Sequence, residues 1–125
     1  MAIQIKYYET SLFTKDLKKL LKRFRTLRED LEILKTNQIE LLHVHNIDNQ
    51  GTFEIRGCEN PLYLIYKIKK FASISLKGRG CDSGLRLIYA INKNKVSVYL
   101  LEIYFKGDKE NEDTYRIIDF LKNEF

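Results

Sequence analysis

Residues 83 to 106 read Ser83-Gly-Leu-Arg-Leu-Ile-Tyr-Ala-Ile-Asn92, then Lys93-Asn-Lys95, then Val96-Ser-Val-Tyr-Leu-Leu-Glu-Ile-Tyr-Phe-Lys106. Two runs rich in β-branched and aromatic residues flank a short polar turn, the pattern of an antiparallel hairpin. The strands are predicted over Leu85 to Asn92 and Val96 to Lys106, with Asn92 to Lys95 as the loop. Ahead of them Lys77-Gly-Arg-Gly80 makes a doubly basic turn, and Leu62 to Leu76 supplies a third strand after an irregular entry.

Working outward from this sheet, Ile3 to Glu9 alternates enough for an opening strand, and Thr10 or Ser11 can cap the segment that follows. From Phe13 the apolar positions fall at 13, 17, 20, 24, 27, 31 and 34, steps of four and three that define an amphipathic helix. Thr26-Leu-Arg-Glu29 has capping-box spacing inside the stripe, which divides it into a helical hairpin over residues 11 to 42 in preference to one long helix. Turn formers dominate residues 44 to 62, with a short strand about Phe53 and Ile55. Asp108 to Asp113 gives an acidic helix start, and Ile117, Ile118 and Leu121 the face of a short terminal helix. The expected fold is a single α+β domain over residues 1–125, helices on one face of an antiparallel sheet and the other face open to a ligand.

Composition bounds the function. The 125 residues contain no apolar run of membrane-spanning length, and the first residues lack the basic start and long apolar stretch of a signal peptide, so a cytoplasmic protein without a membrane partner is expected. Reduced thiols at Cys58 and Cys81 follow from that setting. His43 and His45 have no third ligand at metal-site spacing; one is expected exposed, the other partly packed, and neither a metal nor another cofactor is expected. The net charge of +5 is unevenly spread: residues 60 to 101 hold eight Lys or Arg against Asp82 alone, whereas residues 107 to 125 hold three basic residues against six acids. A positive middle suits a polyanion such as nucleic acid. Arg86, set inside an apolar run, needs either an anionic ligand or a buried partner, for which Glu102 is the candidate.

Several of these segments together resemble the RelE/ParE-type toxins of toxin–antitoxin pairs. The resemblance rests on the lysine-rich hairpin at 11 to 42, on Tyr66-Lys-Ile-Lys-Lys-Phe71, and on Ser75-Leu-Lys-Gly-Arg-Gly80. Ser83-Gly-Leu-Arg-Leu-Ile-Tyr89 and Glu102-Ile-Tyr-Phe-Lys-Gly-Asp-Lys109 complete it. It implies a RelE-like fold and a toxin neutralised by a cognate antitoxin with which it forms a hetero-oligomer. RelE-like members are endoribonucleases (mRNA interferases) that cut messenger RNA on the ribosome without metal; ParE-like members inhibit DNA gyrase. A third alternative is an inactive relative that retains only antitoxin binding.

Metal-free cleavage requires a base for the ribose 2′-hydroxyl, cations for the phosphorane and an acid for the leaving oxygen. By resemblance, Arg86 matches the family's strand arginine, while Lys106 and Lys109 lie where it carries catalytic basic residues. Tyr115 falls where a stacking or proton-transferring tyrosine occurs. Lys77 joins this catalytic group, and Glu102 is a candidate base because strand alternation puts it on one face with Tyr104 and Lys106. Lys67, Lys69, Lys70, Arg79 and Tyr104 are assigned to RNA contact. For Tyr104 and Tyr115, core packing with an exposed hydroxyl is the alternative. Phe71-Ala-Ser-Ile-Ser-Leu-Lys77 departs from the family by placing serines where lysines are usual.

Overall fold

The structure is a computed structural model that describes residues 4–48, 50–58, 60–69, 71 and 83–122. The expectations for Lys70, strand residues 72–76, the basic turn with Lys77 and Arg79, and Cys81 lie outside the described residues. The chain runs β1 (Lys6–Glu9), α1 (Ser11–Leu21) and α2 (Leu27–Leu34), which continues through a π-helical segment (Lys35–Glu40) into a last turn, α3 (Leu41–His43). Then come β2 (Thr52–Glu54), β3 (Tyr63–Ile68), β4 (Leu85–Asn92), β5 (Ser97–Phe105) and α4 (Thr114–Lys122). The helical hairpin and the β4–β5 pair stand where the sequence pattern puts them; a terminal helix is present too, but it starts at Thr114, after the acidic run at residues 108–113, and its buried residues are Ile117 and Phe120. No helix among the described residues is long and apolar enough to cross a membrane.

The five strands lie in the order β1-β5-β4-β3-β2. All neighbours are antiparallel except β1, which runs parallel to β5 with Lys6 opposite Ser97 and Glu9 opposite Leu100. The sheet is therefore mixed rather than antiparallel throughout, because apolar alternation identifies a strand without fixing the direction of its neighbour. Beyond the end of β1 the free edge of β5 is closed by side chains. Asp16 of α1 accepts from the Ile103 amide at 3.2 Å and pairs with Arg116 of α4 at 2.5 Å, while Arg116 also donates to the Leu101 carbonyl at 3.0 Å. Satisfying these edge groups keeps the strand from pairing with another chain.

One face of the sheet buries the helical stripe as its spacing requires. Phe13, Leu17, Leu20, Phe24, Leu27, Leu31 and Leu34 are all buried against Leu85, Leu87, Tyr89 and Ile91 of β4 and Val98, Leu100 and Ile103 of β5. Thr10 begins α1: its hydroxyl accepts from the Phe13 amide at 3.3 Å and donates to the Leu100 carbonyl at 3.0 Å, fastening the helix start to β5. Thr26 does precede α2, but its side chain makes no capping bond and instead bonds Asp30 at 3.0 Å. The capping box is thus absent although the helix boundary is right. Thr26 sits at φ −90° and ψ 8°, outside the extended conformation from which such a cap normally reaches back.

The opposite face is only half open, which corrects the expectation of helices on one side. α4 crosses it and builds a second core in which Ile117 and Phe120 pack with Tyr63, Ile65, Ile88, Ala90, Leu101 and Tyr104. Central strands that are apolar at successive positions are buried on both faces. A bulge makes this possible in β5: pairing steps from Ile88 opposite Glu102 to Tyr89 opposite Leu100, which leaves Leu101 as the extra residue. Leu101 reaches the second core while Glu102 stays in the row with Ile88.

Candidate functional site

The part of this second face that α4 leaves uncovered collects polar side chains from β3, β4, β5 and the β5–α4 loop. The sheet register sets their rows. Lys67, Ile88 and Glu102 lie across from one another, and Arg86 lies opposite Tyr104 in the adjacent row. The entry to β4 is held by Ser83, whose buried hydroxyl donates to the Phe71 carbonyl and accepts from the Leu85 amide at 3.1 Å. Gly84 follows at φ +84°, and a Cβ there would meet the Phe105 ring at 2.8 Å. A glycine at this point lets β4 begin tight against β5 and so fixes where Arg86 enters.

Glu102 is almost wholly buried at 2% exposure, a burial that requires partners. One carboxylate oxygen pairs with Lys109, and the other accepts from the Asp113 amide at 2.8 Å. The anticipated alternative partner, Arg86, is elsewhere. Its guanidinium donates to the carbonyls of Lys69 and Leu85, each at 3.1 Å, and no carboxylate pairs with it among the described residues. The register explains the outcome, since the residue facing Arg86 is Tyr104 rather than Glu102.

Tyr104 occupies the middle of the cluster. The Lys67 and Lys109 ammonium groups stand 5.8 and 5.4 Å from its ring centroid. Its hydroxyl is buried and makes no hydrogen bond among the described residues, so the exposed hydroxyl expected of simple packing is not found. Lys67 pairs with Glu112 of the β5–α4 loop at 2.7 Å. Burial pushes the Lys67 ammonium down, but its bond to Glu112 and the nearby Tyr104 oxygen outweigh this and raise it above the ordinary lysine value. That oxygen lies close enough to favour the charge without meeting hydrogen-bond geometry. Burial pushes Glu112 up, but Lys67 and the charge of Lys69 win and hold its carboxyl below the usual range. Both groups are therefore charged at neutral pH.

Of the anticipated site residues described, Lys67, Arg86, Glu102, Tyr104 and Lys109 come together. Lys69 is exposed at the end of β3, its ammonium 5.1 Å from the Phe53 ring, and Lys106 is exposed immediately after β5. Tyr115, in the first turn of α4, is 80% exposed and free to stack. The sequence pattern marks Glu112 and Asp113 only as a helix start. A run of acids following a basic strand was the available signal that they would fold back onto it. Beside the cluster, a groove of about 330 Å³ lies between α1 and the end of β5, lined by Lys19, Arg23, Tyr104 and Lys109 among others. Arg23 closes it through Asp108 at 2.5 Å and covers the Phe105 ring at 5.0 Å. Among the described residues no three of His, Cys, Asp and Glu gather as a metal site. His45 is exposed as expected, and His43 is buried rather than partly packed.

No family model matches the chain, and no curated protein does. Among solved structures it is similar to the archaeal RelE–RelB complex from Pyrococcus horikoshii, with TM-score 0.50 and 15% identity over 83% of this chain and 97% of that one. The chain has the RelE fold. Two further likenesses are weaker in TM-score. An arginine-substituted variant of the E. coli toxin RelE in the free state gives 0.48 with 23% identity, over 100% of this chain and 99% of that one. A conserved hypothetical protein of Helicobacter pylori gives 0.48 with 18% identity, over 84% and 98%. On this RelE fold, the cluster about Tyr104 lies on the sheet face opposite the helical hairpin.

Proposed function

We propose that this chain is the toxin of a toxin–antitoxin pair, a cytoplasmic protein that cleaves messenger RNA on the ribosome without a metal ion. The observation that carries the reading is the buried Tyr104 hydroxyl between two lysines, one strand away from an arginine that among the described residues has no carboxylate partner. Guanidinium and ammonium groups gathered about one point suit a phosphate, and a buried hydroxyl that makes no hydrogen bond among the described residues can donate to one. The fold shared with a RelE protein that is complexed with RelB supports the same reading, and extends it to a cognate antitoxin bound to this chain.

In the reaction, the ribose 2′-hydroxyl attacks the neighbouring phosphorus, the P–O5′ bond breaks, and a 2′,3′-cyclic phosphate and a free 5′-hydroxyl result. Arg86 and Lys109 stabilise the charge that develops on the phosphoryl oxygens. Glu102 has both oxygens engaged, so it positions Lys109 rather than accepting the proton. Lys67, kept protonated, binds phosphate and is no base. Exposed Tyr115 stacks on a base, and Lys69 and Lys106 hold the flanking backbone. We extend the same role to Lys70, Lys77 and Arg79. A site without a tuned base relies on the ribosome to hold the 2′-oxygen in line for attack.

Translated message mapped at nucleotide resolution, with and without EDTA, tests this reading. Cleavage that depends on ribosomes and survives EDTA is expected. A second reading, a gyrase inhibitor or an inactive antitoxin-binding relative, is favoured by the ion pairs that already neutralise Lys67 and Lys109. It predicts intact message, with blocked supercoiling marking the gyrase inhibitor.

A further inference from the structure

We infer that Glu112 occupies the protein's own phosphate subsite, a built-in carboxylate that a phosphodiester of single-stranded RNA must displace before it reaches Lys67. The inference rests on the proposed RNA-cleaving function and adds a regulatory contact to the same site.

Three observations on the uncovered half-face point to it. The Glu112 carboxylate meets the Lys67 ammonium at 2.7 Å, with 13% of the lysine side chain and 20% of the carboxylate side chain exposed. This is a half-buried ion pair joining a sheet strand to a loop 45 residues later in the chain. Beside it the Tyr104 hydroxyl is buried without a hydrogen bond among the described residues, although Lys67 stands 5.8 Å from its ring. A carboxylate has two oxygens in a plane, whereas a phosphodiester offers more acceptors spread tetrahedrally. An acceptor of the second shape can serve the lysine and the tyrosine together. Lys69 adds its positive charge at the same carboxylate, so the position is an anion site in the field of two strand lysines.

The loop is also built to let go. Its other contacts are independent of Glu112: Lys109 and the Asp113 amide are held by buried Glu102, and the Asp108 and Lys109 amides both donate to the Phe105 carbonyl, at 2.9 and 3.2 Å. Release of Glu112 therefore frees one cation while the turn and the start of α4 stay anchored. A free acid returning to Lys67 when RNA leaves keeps the empty site from holding other polyanions.

The test is binding of a short 2′-O-methyl single-stranded RNA, which cannot be cleaved, to the full chain and to Glu112→Gln across a salt series. The variant is expected to bind about tenfold more tightly at low salt, equivalent to about 1.4 kcal/mol. Its slope of log affinity against log salt should steepen by about 0.7, the mark of one added phosphate contact to a single strand. In a Lys67→Gln background the same substitution should change neither quantity. A melting curve confirms that each variant is folded. If the wild-type chain binds RNA and Glu112→Gln binds equally or more weakly, the inference is overturned while the functional reading stands. If the gain persists without Lys67, general charge repulsion explains it and the inference again falls. If neither protein binds RNA at any salt concentration, the inference falls, while the functional reading is decided separately by the cleavage of translated message.

Discussion

Arg86 and Tyr104 face each other across β4 and β5, and at both positions the proposed role in cleavage can be separated from stability. Arg86 gives its guanidinium two carbonyl bonds and no ion pair among the described residues, so the fold depends on it little. Arg86→Ala is expected to lower cleavage on the order of 100- to 1000-fold, as the loss of one transition-state donor does, with growth restored and melting nearly unchanged. Unimpaired toxicity at equal expression would contradict its role. Tyr104→Phe removes a buried hydroxyl that makes no hydrogen bond among the described residues, so stability should hold or rise while activity falls. Paired melting and cleavage assays check this, and a large stability loss would show that the hydroxyl has a structural partner. Arg86 stands out in the sequence because a charge inside an apolar run demands an explanation. Its partner was not legible there, since Glu102 is two residues from the true cross-strand neighbour, and only the register distinguishes them. The pairing of Lys67 with Glu112 was equally hidden, because no local pattern links a strand residue to a loop so far along the chain.

At the scale of elements, β3, β4, β5 and the helical hairpin could be read from periodicity, since each buries the residues its pattern marks, whereas β1 and β2 remain mostly exposed and α4 buries Phe120 in place of Ile118. What periodicity left open was the second layer. Ile88, Ala90 and Leu101 are apolar enough to face another core, but the β5 bulge that turns Leu101 toward α4 depends on strand pairing and has no signature of its own. Joints between elements carry the sharpest stability predictions. Thr10→Ala should cost about 1 kcal/mol through loss of the α1 cap, with more if the Leu100 bond is lost too, measurable by urea denaturation. The joint between α3 and the sheet is pH-sensitive. His43 lies with its Nε2 2.7 Å from the Tyr89 hydroxyl, and burial, with a smaller effect of Lys95, lowers its pKa from 6.5 to about 4. Between those values the unfolded chain binds a proton that the folded chain refuses, so this contribution to stability is complete above pH 6.5 and is lost as pH falls toward 4. Melting temperature followed over that window should fall with acid. The fall should be shallower in His43→Asn, whatever that variant loses at neutral pH.

At the scale of the whole molecule, among the described residues the helical hairpin covers one face of the sheet and α4 part of the other, and the polar cluster lies on the part of that second face that α4 leaves uncovered. An acidic antitoxin segment folding onto this protein would bring apolar anchors as well as charge, so the complex should persist in moderate salt. The chain expressed alone should arrest growth, and co-expression with its neighbouring gene should relieve the arrest. Fold was the more legible half of this protein because burial leaves a periodic trace along the sequence. Function was less so, because polar groups that gather in a site are few and aperiodic, and here Lys67 with Glu112 and Lys109 with Glu102 bind one another. The central claim, cleavage of message on the ribosome, is tested most directly by mapping the 5′ ends of a translated message at nucleotide resolution after induction, with gyrase supercoiling assayed in parallel. New ends that require translation and disappear with Arg86→Ala are the predicted result. Intact message in arrested cells, with or without blocked supercoiling, would contradict it.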